Sequence, residues 1–482
     1  MVLRGLSVSP RGSQPREAGV NGAPFLDASN SESERPAVPA DGESSALAPN
    51  VCPAEHVGRR SRFWRDSPER RVKLAVAGVL VGSLILRLAF LAGRHSAPFS
   101  DMTGYDQRAL LLLHQHTFQT GDTYGATYRG PGYIMFLAAI YVLAGHHWWA
   151  AYVVQSLLGV ATLLGVYLLA GQLFSGKVAL VSLLLAAGYL PFLAYAHLLL
   201  PETLFITFLV FSTYAFVRGV FKSSSLWLCL SGVLCALAAL TRSEALLLPV
   251  AFLLWIALSR GRRSILRRLR SGLILFVLSM ALVLTPWTVH NYLDQKQFIP
   301  ADTVVGLNLL IGNHPGADGT FDEAPVWSNP AVEAALSQGK REAALDAIFR
   351  DQALSWISSH PGSFLALSGW RTLLFLDKTK DWLLDGIGSN TLDALSGFQQ
   401  VYTWVLLFFA LVGGFAGLRR GRQTLLPLLC FFYFLGGVSI FFFQTRYRLP
   451  AMPFVLMLAA YGLGVVGGQL ERVVPMSWRV WR

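Results

Sequence analysis

Arg70-Arg71-Val72-Lys73-Leu74-Ala75-Val76-Ala77-Gly78-Val79-Leu80-Val81-Gly82-Ser83-Leu84-Ile85-Leu86-Arg87-Leu88-Ala89-Phe90-Leu91-Ala92 decides the fold class. After Lys73 only Arg87 is charged, and the apolar run is long enough to cross a bilayer core, which takes about 20 residues. Basic residues stand directly before it. Nine more apolar runs follow: 150–171, 178–196, 202–221, 226–241, 244–259, 271–289, 401–418, 424–443 and 450–468. The reading is an all-α polytopic membrane protein with about ten transmembrane helices and additional juxtamembrane helices.

The composition agrees. Of 482 residues, 53% are apolar and only 14% charged, against about 25% charged in soluble domains. The mean hydropathy is +0.47. No single soluble core hides runs of this length. The four cysteines, Cys52, Cys229, Cys235 and Cys430, show neither disulfide nor metal spacing.

A net charge of +12 raises nucleic-acid binding as a class. The charge sits elsewhere. Arg59–Lys73, Arg260–Arg270 and Arg419–Arg422 hold clusters that abut apolar runs, and Arg472, Arg479 and Arg482 follow the last one. That is the pattern in which Lys and Arg stay on the cytoplasmic side. A nucleic-acid module needs a folded basic face instead, so no nucleic-acid partner is expected.

One further apolar piece, 131–145, starts at Pro131-Gly132 and ends at Gly145-His146-His147. If it crosses, the clusters at 260–270 and 419–422 move outside. If it lies at the surface or re-enters, every basic cluster is cytoplasmic. The second arrangement is expected, with both termini inside the plasma (inner) membrane. Residues 1–70, rich in Ser, Pro, Gly, Ala and Glu and lacking an early apolar segment, read as a disordered cytoplasmic tail. Residues 71–289 form an N-terminal catalytic membrane module whose first outer loop is 93–149. A large outer loop with helices spans 290–400. Residues 401–482 supply the last spans and a short basic tail.

The outer turns collect polar chemistry. The first loop carries Ser100-Asp101-Met102-Thr103-Gly104-Tyr105-Asp106, then Tyr128-Arg129-Gly130-Pro131. Asp101 and Tyr105 share a helix face. Ser100 or Asp101 also suits a plain N-cap. Glu202 opens an apolar run, where a carboxylate complements the helix dipole. Thr241-Arg242-Ser243-Glu244 lies between two runs; its Arg and Glu can pair with each other, yet ionisable residues at membrane depth tend to mark sites. Arg446 and Arg448 stand on the outer side against the inside bias, as headgroup anchors or as site residues. Asn313 and His314 either bind substrate or shape a Gly-Asn turn. Guanidiniums suit phosphate through their bidentate fork. Carboxylates suit proton abstraction from a hydroxyl. Together they fit a lipid-phosphate donor and a hydroxyl or amine acceptor.

In order and spacing these residues resemble the GT-C superfamily of polytopic glycosyltransferases, in the branch of protein O-mannosyltransferases, lipid A aminoarabinose transferases and RgtA/B/C/D-like enzymes. The resemblance covers about residues 72–465. It rests on the acidic first loop, Tyr128-Arg129-Gly130-Pro131-Gly132-Tyr133, Thr241-Arg242, and Arg446-Tyr447-Arg448-Leu449-Pro450. Pro286-Trp287, His290-Asn291-Tyr292 and Gly312-Asn313-His314-Pro315 also look like family signposts.

The resemblance implies a polyprenyl-phosphate sugar donor and a glycan, lipid or protein acceptor. It makes Asp101 the general base and gives the donor phosphate to Arg129, Arg242, Arg448 and Arg446. Tyr105, Asp106, Tyr128, Glu202, Asn313 and His314 support them. Transfer inverts the sugar and occurs on the outer face. Met102 and Tyr128 stand where some relatives have acidic or metal-binding residues, which argues against a divalent metal. The competing expectations are a transporter or flippase of lipid-linked sugars, and a polymerase or ligase. Matched repeats, the usual mark of transporters, are not visible.

Overall fold

The computed structural model describes residues 68–92, 97–119, 125–259, 262–340, 342–377, 389–420 and 424–468. The predicted tail up to residue 67, parts of the two basic loops (260–261 and 421–423), and the basic end from 469 lie outside them.

Helices α1 (Pro68–Ala92), α2 (Asp101–Gln115), α3 (Pro131–Ala144), α4 (Trp148–Leu173), α5 (Gly176–Ala187), α6 (Leu190–Ala194), α7 (Glu202–Lys222), α8 (Ser225–Thr241), α9 (Leu248–Leu258) and α10 (Arg262–Gln295) form the first part. Then come α11 (Val305–Gly312), α12 (Ala324–Trp327), α13 (Pro330–Ser337), α14 (Ala343–Ser359) and α15 (Pro361–Asp377). The chain closes with α16 (Ser389–Arg420), α17 (Leu425–Ile440), α18 (Thr445–Arg448) and α19 (Met452–Val466). Among the described residues the only β pairing is an isolated bridge, Thr320 to Phe443.

Among the described residues, six helices are long and apolar enough to cross a membrane, and α5 with 190–197, bent by 64°, is a seventh if the pair is counted as one span. The remaining predicted spans are shorter apolar helices, Ser225–Thr241, Ser243–Leu258 and Leu425–Ile440. They fall short because polar turns cut in at one end, at Thr241-Arg242 and at Gln444. In the other direction, α10 runs past its predicted end at 289 to Gln295. The chain is a multi-pass, all-α membrane protein.

Local chemistry sets the breaks. Ser175 caps α5 by accepting from the Val178 N–H, and Asn329 caps α13 by accepting from the Ala331 N–H, with Pro330 at its first position. Small residues allow close crossings. A Cβ on Gly413 would strike the Leu458 carbonyl oxygen, and one on Gly462 the Phe409 carbonyl oxygen, so α16 and α19 pack backbone to backbone. Buried polar groups find partners across helices. Gln155 accepts from the Tyr133 hydroxyl at 2.6 Å and donates to the Leu198 carbonyl at 2.8 Å. Arg87, the one charge in the opening run, donates to the Phe192 carbonyl at 2.6 Å.

Helices α11–α14 build a second small core from Leu307, Leu310, Val332, Leu345 and Phe349. Asp346 caps α11, accepting from the Gly306 N–H at 2.6 Å. Buried Arg371 on α15 joins this core to α17: it donates to the Ser439 and Ile440 carbonyls at 3.1 Å and also to the Gly312 carbonyl. Tyr128 and Tyr447 pack against this second core. It therefore stands beside the charged turns.

Candidate functional site

Five elements converge: the start of α2, the turn before α3, the start of α7, the turn after α8, and α18. The approach of two of them is enforced by Gly130, where a Cβ would run into the Leu240 carbonyl oxygen. The Arg129 and Arg242 turns therefore touch through backbone, which any other residue at 130 would prevent.

Asp101 lies at the centre. Its Oδ1 accepts from Arg129 Nη2 at 2.8 Å and its Oδ2 from Arg446 Nη1 at 2.6 Å. The N-cap alternative is not realised, since Ser100 makes no side-chain cap bond. Burial alone would raise the Asp101 carboxyl, but the two guanidiniums outweigh it and hold the group well below the usual carboxylate range. Arg129 also lies over the Tyr105 ring at 4.4 Å and near Tyr128 at 5.4 Å. The shared helix face of Asp101 and Tyr105 thus receives one guanidinium on both.

Arg242 forks between two carboxylates. Nη1 reaches Glu202 Oε1 at 2.7 Å and Nη2 reaches Glu244 Oε1 at 2.6 Å. The Glu202 side chain is fully buried, and its Oε2 has no hydrogen-bond partner. The Tyr447 ring stands 5.0 Å from the Arg242 guanidinium and 5.4 Å from that of Arg446. The Tyr433 hydroxyl of α17 donates to the Glu244 carbonyl and anchors that turn.

Asp101, Arg129, Arg242, Arg446, Tyr105, Tyr128 and Glu202 are thus brought together. Four other sequence-selected residues are not. Asp106 faces a separate network, accepting from the Tyr141 hydroxyl at 2.5 Å and the Trp148 indole at 3.2 Å, with His146 at 2.9 Å. Arg448 is fully buried and donates to the Phe375 carbonyl at 2.9 Å. Asn313 donates to the Leu309 carbonyl at 2.8 Å and the Ile440 carbonyl at 3.0 Å. His314 stands 2.8 Å from the Pro315 carbonyl. The signposts on α10 are ties: the Trp287 indole donates to the Ala301 carbonyl at 2.6 Å, and Asn291 to the Ile299 carbonyl at 2.9 Å.

Those ties place a carboxyl that sequence reading missed. Asp302 contacts Ser243 and the Val304 N–H, and its Oδ1 is buried without a partner. Burial pushes it up to about 7, and Asp346 and Glu244 add to the rise. Its only sequence signal is a lone acid in a Pro-Ala-Asp-Thr turn. Among the described residues, no three His, Cys, Asp or Glu side chains gather into a metal-ligand set.

The polytopic helices that carry these charged turns have the fold of a solved archaeal oligosaccharyltransferase. Residues 128–289, about a third of the chain, match the family described as dolichyl-phosphate-mannose-protein mannosyltransferase. The apo oligosaccharyltransferase of Archaeoglobus fulgidus aligns with a TM-score of 0.52 at 14% identity, over 84% of this chain and 52% of that one. The same enzyme tethered to an acceptor peptide aligns with a TM-score of 0.50 at 13% identity, over 85% and 50%. This chain thus spans about half the length of that protein. ArnT from Cupriavidus metallidurans, bound to undecaprenyl phosphate, aligns at 15% identity over 83% and 79%, with a TM-score of 0.39 that is too low to bear on fold or site. No curated protein sequence matches the chain.

Proposed function

We propose that this chain is a membrane glycosyltransferase. It moves a hexosyl- or pentosyl-type sugar from a polyprenyl-phosphate donor to a hydroxyl or amine of a glycan, lipid or protein. The observation that carries the reading is the bridge of Asp101 between Arg129 and Arg446, with Arg242 at 5.0 Å from the Tyr447 ring. The family description of residues 128–289 supports a lipid-phosphate sugar as donor.

The bridge suits such a donor. A phosphodiester offers two oxygens to the same forks that hold Asp101. When it binds, Arg129 and Arg446 turn from carboxylate to phosphate. Asp101 then loses the charges that suppress its basicity and takes the acceptor proton. The acceptor oxygen or nitrogen bonds to the anomeric carbon, and the carbon–oxygen bond to phosphate breaks. That electron pair stays on the phosphate, which leaves with one more negative charge. The guanidiniums stabilise this growing charge. Attack opposite the phosphate inverts the sugar. Arg448, tied to Phe375, and Asp106, tied to α3 and α4, hold the frame of the site.

By the charge pattern of the basic clusters, both termini are cytoplasmic and the site faces outward in the plasma (inner) membrane. The test is transfer. Purified protein receives polyprenyl-phosphate sugars labelled in the sugar, together with envelope acceptors. The proposal expects label on the acceptor and free polyprenyl phosphate in equal amounts. Movement of intact donor across vesicles without bond cleavage would establish the transporter reading instead.

A further inference from the structure

Arg129 is carried by a turn, 125–130, whose own groups are held by the second core. Thr127 is fully buried. Its N–H donates to Glu342 Oε2 at 3.0 Å, and its hydroxyl donates to the same oxygen at 2.6 Å. Its carbonyl accepts from the Thr303 N–H at 2.9 Å. Gly125, at φ +58°, leaves room for the Glu342 carboxylate, which a Cβ would strike. Three residues beyond Thr127, Gly130 rests on Leu240. The turn is therefore pinned to the α11–α14 core on one side and to α8 on the other, with Arg129 between.

Glu342 is unusual on its own account. Its φ is +47° and ψ −115°, a region that side chains other than glycine rarely enter. It precedes α14, yet its side chain makes no cap bond to that helix. The strained backbone and the forgone cap both send the carboxylate across to Thr127. Strain held by surrounding structure collects at functional sites.

We propose that Glu342 is a positioning residue: through Thr127 it fixes where the Arg129 guanidinium stands for the donor's phosphate. The inference rests on the glycosyltransferase reading for the phosphate, but not for the positioning. It gives the polar segment between α10 and α15 a part in donor binding.

The test compares Glu342→Ala and Glu342→Gln with the native chain, alone and with Arg129→Ala. Hydrogen exchange of 125–130 is read first. Glu342→Ala leaves the Thr127 N–H without a partner and its hydroxyl with only the Thr303 hydroxyl at 3.2 Å, so exchange there rises about tenfold or more while α16 and α19 stay protected. Polyprenyl phosphate then binds about tenfold more weakly and the donor KM rises, with the acceptor KM unchanged. Glu342→Gln, whose amide oxygen still accepts from Thr127, stays within about threefold. In the Arg129→Ala background, Glu342→Ala adds nothing, because it acts through Arg129. Unchanged exchange at 125–130 overturns the proposal. So does an equal loss on the Arg129→Ala background, the mark of a merely structural residue. Exchange that responds in a chain that binds no lipid phosphate would support the positioning and sink the functional reading instead.

Discussion

Replacing Arg242 by methionine should destabilise the protein far more than breaking a surface ion pair. The guanidinium holds two carboxylates of unequal burial. The Glu244 side chain is 36% exposed, and that half of the fork falls among exposed pairs worth about 0–1 kcal/mol. The Glu202 side chain is 0% exposed, and one of its oxygens is already without a partner. Removing Arg242 strands that carboxylate, a change that costs about 3–5 kcal/mol when a buried pair loses one member. Glu202→Gln removes the stranded charge while leaving Arg242 its bond to Glu244, so it should cost less, about 1–3 kcal/mol. The double variant, Arg242→Met with Glu202→Gln, should be more stable than the sum of the two losses by about 2 kcal/mol, because no buried charge remains unpaired. The assay is unfolding of the detergent-solubilised protein across all four forms. A loss under about 1 kcal/mol for Arg242→Met, or strict additivity in the double variant, would refute the buried pair on which this part of the site depends.

Asp302 predicts a pH dependence. Its carboxyl sits at about 7 in the fold against an ordinary value of 3.8. The unfolded chain therefore releases this proton first, and stability falls as pH rises between those values and levels off above. Asp302→Asn should raise the melting temperature at pH 8 and leave it nearly unchanged at pH 4; an equal shift at both would contradict the assignment. Gly130→Ala should cut transfer about tenfold or more with little loss of helix content. The added Cβ meets the Leu240 carbonyl and displaces Arg129, and misplacement of about 1 Å in such sites has effects of that order. Native rates in that variant would show that the two turns need not touch.

The spans were legible because bilayer length and apolar content are sequence properties. Even the shorter helices α8, α9 and α17 announce themselves by composition. The converging cluster was legible in part, since charges in turns between apolar runs stand out. Asp101, Arg129, Arg242 and Arg446 could be picked for that reason, and the spacing of Asp101 and Tyr105 already put both on one face.

Direction within a turn was harder to see. Arg446 and Arg448 are two apart, hence about 200° apart on a helix, and the structure sends one to Asp101 and the other to Phe375. Asp106, five residues past Asp101, likewise leaves the shared face. Thr127 and Glu342 carried no signal, and Asp302 only that of a lone acid in a turn. They lie in polar turns without periodicity, and their importance comes from tertiary contacts such as Trp287 to Ala301 and Thr303 to Thr127.

Carrier release by native and Asp101→Asn protein tests the central claim most directly. Purified chains are incubated with polyprenyl-phosphate sugars bearing different head groups and an envelope acceptor, and free polyprenyl phosphate is quantified. The account predicts release from at least one donor by the native protein and none above background by Asp101→Asn, which folds and still binds lipid phosphate through its arginines. Equal release by both proteins, or no release from any donor that the folded native chain binds, would contradict it.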